Sequence, residues 1–294
     1  VKYYEIFAEF MKDPLDSRAR AVAAVLPHAW KGLKEGDPEC VVVACGEDGL
    51  PTLLQQLEAH FKLGTLQFMD VLSLHPYGGF DAQFRPLLDR LRQSMAKHNR
   101  GKLLPVWGTE AGARGLDTLY YDGIDFETMY YPNFVTELDQ AEQMVRQNLI
   151  AFGEGMERNA TFYLYSGAAG MDCFSFVDGS NGIRPKTLFP AFANLVERLS
   201  GAEPVRRFEQ PENGSCGYLF RKDGKLFAAL WNFDPHHKTH PVELPLRPEQ
   251  LKVFNLVGEP VRPAGRDKCM LELTGGVPLD FNARLKSPLL LQFT

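Results

Sequence analysis

Extended and helical segments alternate about five times over the first two hundred residues, and that alternation leaves few folds open. "VKYYEIFAEF" is a β-branched and aromatic run whose period-two alternation places Glu5, Phe7 and Glu9 on one face. "DSRARAVAAVLPHAWKGLKEGDPE" follows with a helical apolar stripe through Ala19, Val22, Val25 and Leu26, which Pro27 interrupts or kinks. "CVVVACG" is a continuous apolar strand of the kind covered on both faces in a parallel sheet. Next come a helix in "LPTLLQQLEAHFKLG" closed by Gly64, a strand in "MDVLSLHPY", a helix in "FRPLLDRLRQSMAKHNRG" ending at Gly101 and a strand in "LLPVWGTE". After a long polar and aromatic loop, Thr136 and Asp139 make a capping-box-like start to the helix "ELDQAEQMVRQNLIAFGEGMER". "ATFYLYS" is a further strand and "LFPAFANLVERLS" a last helix. Strands and helices at this spacing build a parallel sheet.

Past residue 205 the pattern changes. "GYLFRKDGKLFAALWNF" carries two alternating runs joined by Asp223-Gly224, a hairpin signal, and short strands follow in "LKVFNLVG", "CMLELTG" and "SPLLLQFT". The expected organisation is an α/β part over residues 1–205 and an antiparallel β-sandwich domain over residues 206–294. A net charge of -5 leaves no electrostatic footprint for nucleic acid or an anionic membrane. No apolar run approaches the roughly 18 residues that span a bilayer. The five Cys are odd in number and lack CxxC spacing, so they read as small buried hydrophobes rather than a zinc site or a disulfide framework. No GxGxxG or P-loop segment follows a strand, which argues against a nucleotide cofactor; no cofactor or metal is expected.

Functional residues of parallel α/β folds gather at the C-terminal ends of strands. Here those ends carry Glu9, then His75 and Tyr77, then Glu110, then Tyr163 and Tyr165. Two strand-end carboxylates among aromatic and small residues are what glycoside hydrolysis needs: one protonates the leaving oxygen, the other attacks the anomeric carbon or activates water. The alternative is that both acids cap helices or pair with Arg. Glu5 lies on the same face as Glu9 but about 13 Å deeper, an interior acid in need of a cation or hydrogen-bond partner. Trp107, Tyr163, Tyr165, Phe174 and Trp231 could each stack on a sugar or fill the core; Tyr165 is the preferred stacking candidate, at the end of its strand. His236 and His240 are four apart, but Pro235 and Pro241 flank them in a loop where helical ligand geometry does not form.

The wording around the two acids narrows the reading. "KYYEIFAEF" resembles the "YxEIWNEP" segment that ends the fourth barrel strand of clan A glycoside hydrolases, and "LPVWGTEAG" resembles their seventh-strand "W-x-TE-x-G" segment. "DVLSLHPYGG" resembles the sixth-strand "D-x-iS-x-HxY" segment, and Asp37-Pro38 stands where these enzymes have a DP turn. Taken in order along nearly the whole chain, the segments are most similar to glycoside hydrolase family 39, which also carries an accessory β-sandwich. The resemblance implies a partial (β/α)8 TIM barrel followed by an antiparallel β-sandwich domain. It makes Glu9 the acid/base and Glu110 the nucleophile, with Tyr77 hydrogen-bonding the nucleophile and His75 lining the floor near the same sugar; Trp107 and Tyr165 stay candidate substrate contacts on their aromatic character alone. Two departures stand out: Ala8 occupies the place of the family's Asn, and Phe10 that of its Pro.

If the opening strand is a barrel's fourth, this chain carries strands four to eight. A half-barrel of that kind exposes two sheet edges and an apolar interior. Its expected partners are a carbohydrate substrate and the N-terminal half of the barrel, from the same or another chain, or a second copy of itself. The resemblance also favours a secreted or periplasmic protein. The leading expectation is a retaining glycoside hydrolase acting on an oligo- or polysaccharide. The alternative, motivated by Ala8, is a non-catalytic carbohydrate-binding or scaffold protein with a degenerate site.

Overall fold

The computed structural model describes residues 2–8, 14–48, 50–77, 80–113, 136–162, 164–165, 175–178, 183–210, 215–232, 239–274 and 288–293. Glu9, Phe10, Tyr163, Phe174, Cys173, His236 and most of the long aromatic loop therefore lie outside the described residues. The chain divides into two compact units, Val1–Gly112 with Glu154–Phe162, and Ala113–Gly153 with Tyr163–Thr294.

The first unit alternates β1 (Tyr3–Ala8), α1 (Leu15–Gly36), β2 (Val41–Asp48), α2 (Leu50–Lys62), β3 (Val71–His75), α3 (Phe80–His98), β4 (Val106–Ala111) and β5 (Arg158–Thr161). The strands form one parallel sheet in chain order, β1-β2-β3-β4-β5. Laid flat, four strand spacings would hold β1 and β5 about 19 Å apart. Instead Arg158 on β5 donates to the Tyr3 hydroxyl on β1 at 3.2 Å, and Thr109 on β4 donates to Glu5 on β1 at 2.7 Å. The sheet is strongly curled, and these side chains lie on its concave face. The helices bury their apolar stripes, Ala19, Val22 and Leu26 in α1, Leu53, Leu57 and Phe61 in α2, and Phe84, Leu88 and Leu91 in α3. Pro27 sits inside α1, which continues through it to Gly36; the helix gives up one backbone donor there without ending.

Two corrections concern this unit. The concave face was expected to be apolar. Val43, Val71 and Trp107 do cluster there with Val41, yet Glu5, His75, Thr109 and Arg158 share the same face. The fifth strand was expected to reach Tyr165, but β5 ends at Thr161. Its last partner is Ala111, the end of β4, so the ladder has nothing further to pair with. Tyr165 instead makes an isolated bridge to Val177 in the second unit and is 53% exposed.

The second unit holds α4 (Glu137–Gly153), the short pair β6 (Val177–Asp178) and β7 (Arg184–Pro185), α5 (Leu188–Leu199), and β8 (Glu203–Gln210) through β15. The Asp139 backbone donates to the Thr136 hydroxyl while the Asp139 carboxylate accepts from the Thr136 backbone, the reciprocal cap that starts α4. A six-stranded antiparallel sheet contains β8, β9 (Ser215–Lys222), β10 (Lys225–Asn232), β15 (Leu289–Phe293), β12 (Leu251–Phe254) and β13 (Pro260–Val261). Asp223 and Gly224, both at positive φ (51° and 74°), make the two-residue turn that joins β9 to β10. A separate pair, β11 (Thr239–Leu244) with β14 (Cys269–Thr274), shares one core with that sheet through Leu230, Val242, Val253, Leu271, Leu273 and Leu289. On the sheet's other face Tyr218 packs beside Trp231, their rings 5.9 Å apart, and against Gly153 at the end of α4. Trp231 is thus core, 1% exposed. Cys40, Cys45, Cys216 and Cys269 are all buried. Among the described residues no helix is long and apolar enough to cross a membrane.

Candidate active site

The concave face of the parallel sheet is built in layers. In the deepest, the Arg158 guanidinium lies over the rings of Tyr3 and Trp107, 4.6 and 4.2 Å from their centroids, with the two rings 5.4 Å apart. Trp107 is buried and its indole N–H donates to Glu157 at 3.1 Å. Stacking on two aromatic faces orients the guanidinium, which has no carboxylate partner among the described residues.

The next layer contains Glu5, Gly46, His75 and Thr109. A Cβ at Gly46 would lie 2.9 Å from His75 Nε2 and 3.1 Å from Glu5 Oε1, so a side chain there would have to displace the imidazole edge or the carboxylate that approach across β2. Gly46 reaches this face through a bulge: the β2–β3 register slips between Ala44 and Glu47, and Cys45 takes φ +72°. Burial pushes the Cys45 thiol up, helped by the charge of Glu47. After the bulge Glu47 pairs with Leu74 and is buried, where it accepts from Arg18 Nη1 of α1 at 3.2 Å and from His60 Nε2 of α2 at 2.7 Å. This buried triad ties both helices to the strand that carries Gly46. Its His60 Nδ1 and Arg18 Nε have no partner among the described residues.

The outermost layer sits at the strand ends. Tyr77 N–H donates to the His75 carbonyl at 2.8 Å, a three-residue turn that closes β3. The Tyr77 hydroxyl then donates to Glu110 Oε1 at 2.5 Å, a short, charge-assisted contact that orients a half-buried carboxylate. Glu110 follows Thr109, and in a regular strand the two would face opposite ways. The β4–β5 register slips between Gly108 and Ala111, so a bulge turns both neighbours toward the concave side.

The structure brings together Glu110, Tyr77, His75 and Trp107 in one unit, and Glu9 falls outside the described residues. His75 is buried at 2% exposure, its ring edge against Gly46. Tyr165 belongs to the other unit. Ala8 pairs with Gly46 in the β1–β2 ladder. Glu5 has the hydrogen-bond partner it was expected to need, Thr109, though it is exposed. Sequence reasoning did not find that partnership, the Arg158 stack or the Arg18–Glu47–His60 triad. The only local trace of the second was alternation beginning two residues earlier, at Arg158, than the strand assigned to "ATFYLYS". Among the described residues no group of three or more His, Cys, Asp or Glu could hold a metal ion.

No protein-family model and no curated protein sequence matches the chain. Solved structures do. A family 39 glycoside hydrolase from the gut symbiont Bacteroides cellulosilyticus WH2 matches with a TM-score of 0.70 at 16% identity, over 100% of this chain and 58% of that one. A thermostable family 51 α-L-arabinofuranosidase from Thermotoga petrophila RKU-1 gives 0.58 at 14% identity, over 100% and 66%. A family 30 endoxylanase from Clostridium papyrosolvens C71 gives 0.56 at 10% identity, over 99% and 65%. This chain spans less than two thirds of each. Its fold is similar to the corresponding part of these glycoside hydrolases.

Proposed function

We propose that this chain forms the nucleophile-bearing part of a retaining glycoside hydrolase acting on an oligo- or polysaccharide. Residues 1–205 supply strands four to eight of a (β/α)8 barrel and residues 206–294 an accessory β-sandwich. The remaining strands come from the same or another chain. The observation that carries the reading is the Tyr77–Glu110 hydrogen bond at the strand ends of the curled sheet. A nucleophilic carboxylate must be ionised, aimed at the anomeric carbon and unable to swing away. A phenol donating to one oxygen fixes the carboxylate's orientation and leaves the other oxygen for attack. In the first step Glu110 displaces the leaving sugar and forms a glycosyl ester, while Glu9 gives its proton to the departing oxygen. In the second Glu9 takes a proton from water, which attacks the anomeric carbon, breaks its bond to the Glu110 oxygen and frees the Glu110 carboxylate.

Ala8 favours a second reading, a carbohydrate-binding protein without turnover, because the Asn replaced there would hydrogen-bond the sugar's 2-hydroxyl. A screen of aryl glycosides on the intact protein separates the two. Glu110→Ala should abolish turnover, and added azide should restore it with an activated aryl glycoside, giving a glycosyl azide of inverted configuration. Full activity in Glu110→Ala sinks the assignment. Saturable sugar binding with no turnover on any substrate favours the second reading.

A further inference from the structure

We propose that Glu5 is a positioning residue for Glu110, acting through the Thr109 hydroxyl; the functional consequence rests on the reading of Glu110 as nucleophile. Glu5 and Thr109 are 104 positions apart and sit on strands separated by two others, yet the Thr109 hydroxyl donates to Glu5 Oε1 at 2.7 Å. That bond is a chord across the concave face, and it lands on the bulged part of β4, between Gly108 and Ala111.

A bulge leaves its residues outside the regular ladder, so their direction depends on side-chain anchors. Two anchors are present here. Tyr77 holds the Glu110 carboxylate from the β3 end, and Glu5 holds the preceding residue from β1. Neither alone fixes the peptide between them. With Thr109 released, the Thr109–Glu110 segment can relax toward regular alternation, which turns Glu110 away from the concave face. The Glu5 carboxylate has room on its far side. It lies beside Gly46, where the absence of a Cβ admits both its carboxylate and the His75 ring, and where the Cys45 bulge brings the backbone close. Its geometry is that of an acceptor aimed at one hydroxyl.

The role is one of position rather than charge, and that separates it from electrostatic tuning. Glutamine keeps an oxygen acceptor at the same reach, and serine keeps the donor; alanine and valine remove them. The test uses the intact protein labelled with 13C at glutamate carboxyls, with the Glu110 signal assigned by its loss in Glu110→Gln. Glu5→Ala and Thr109→Val should shift that signal to the same new position, the double variant should shift it no further, and Glu5→Gln and Thr109→Ser should leave it near its original place. In turnover the first two should lose about 10–100-fold in kcat with little change in KM, as expected for a misplaced reacting group. Glu5→Gln should recover most of that loss. A Glu110 signal unmoved by Glu5→Ala, or moved as far by Glu5→Gln as by Glu5→Ala, overturns the proposal. The carboxyl signal is read without turnover, so it stands apart from the nucleophile assignment. Glu110→Ala with full activity would overturn that assignment while leaving the signal pattern to decide this one.

Discussion

Replacing Glu47 with Ala should be among the most damaging single changes in the parallel-sheet unit. Glu47 receives hydrogen bonds from Arg18 at 3.2 Å and His60 at 2.7 Å, and the three side chains are 4%, 9% and 0% exposed. Removing the carboxylate leaves a guanidinium cation in a nearly dry site, with Nε already unpartnered, and an imidazole with neither nitrogen satisfied. Breaking a buried ion pair from one side costs about 3–5 kcal/mol, most of it the penalty on the group left behind. At an m-value of about 2 kcal/mol/M in urea, the unfolding midpoint should fall by about 2 M. Fluorescence can be assigned to units, because Trp30 and Trp107 lie in the parallel-sheet unit and Trp231 in the other. Urea titration in a Trp231→Phe background therefore follows the right unit. The triple change Arg18→Met, Glu47→Leu, His60→Phe removes all the polar groups together and should recover most of the loss, since apolar packing of similar volume often matches a buried ion network. A midpoint shift below about 0.5 M for Glu47→Ala, or a triple variant weaker than the single one, would refute this account of the triad.

Gly153→Ala should destabilise the second unit by about 1–3 kcal/mol: helix propensity favours Ala by up to about 1 kcal/mol, but overpacking outweighs it. Its Cβ would fall 2.2 Å from Cδ1 of the fully buried Tyr218 ring, and a raised urea midpoint by Trp231 fluorescence would contradict this. Stability should also fall with alkali through Cys45. Its thiol is raised on folding, so below the unfolded value near 8.5 both states are protonated and stability is full; above it only the unfolded state ionises. Between pH 8 and 10 that linkage removes about 2 kcal/mol, and Cys45→Ala should show a pH dependence shallower by that amount; equal slopes in the two proteins would disprove it.

What could be read from the chain alone depended on how local the cause was. The Thr136–Asp139 cap and the Asp223-Gly224 turn are each specified within four residues, and both form as the residue types require. Strands β2, β3, β12, β14 and β15 are apolar enough to declare themselves. Others are set by a neighbour. The end of β5 is decided by where β4 stops, and nothing in "ATFYLYS" reports that. Strand β11 contains Pro241, which reads as a breaker until it is placed on a two-stranded pair opposite Glu272. Strand β8 begins at Glu203 with charges at Glu203, Arg206, Arg207 and Glu209, an edge composition that hides it from an apolar pattern.

The site divides along the same line. Tyr77 and Glu110 stand at strand ends, and successive strand ends of a parallel sheet are neighbours, so their meeting needs only the order of elements. Glu5 with Thr109 and Tyr3 with Arg158 need the curl, a property of five strands together that no segment carries. Curling also explains why the interior is polar where an apolar one was expected. On a flat sheet Glu5, His75, Thr109 and Arg158 would each require a partner from a covering layer. On a curled one they partner one another across the concavity, the carboxylate with the hydroxyl and the guanidinium with two rings. A bulge on each of two strands then aims Gly46 and Glu110 into that space. The polar residues are what the curvature selects, because only long or hydrogen-bonding side chains can reach across it, and the same curvature collects the carboxylate, the phenol and the imidazole at one end of one unit.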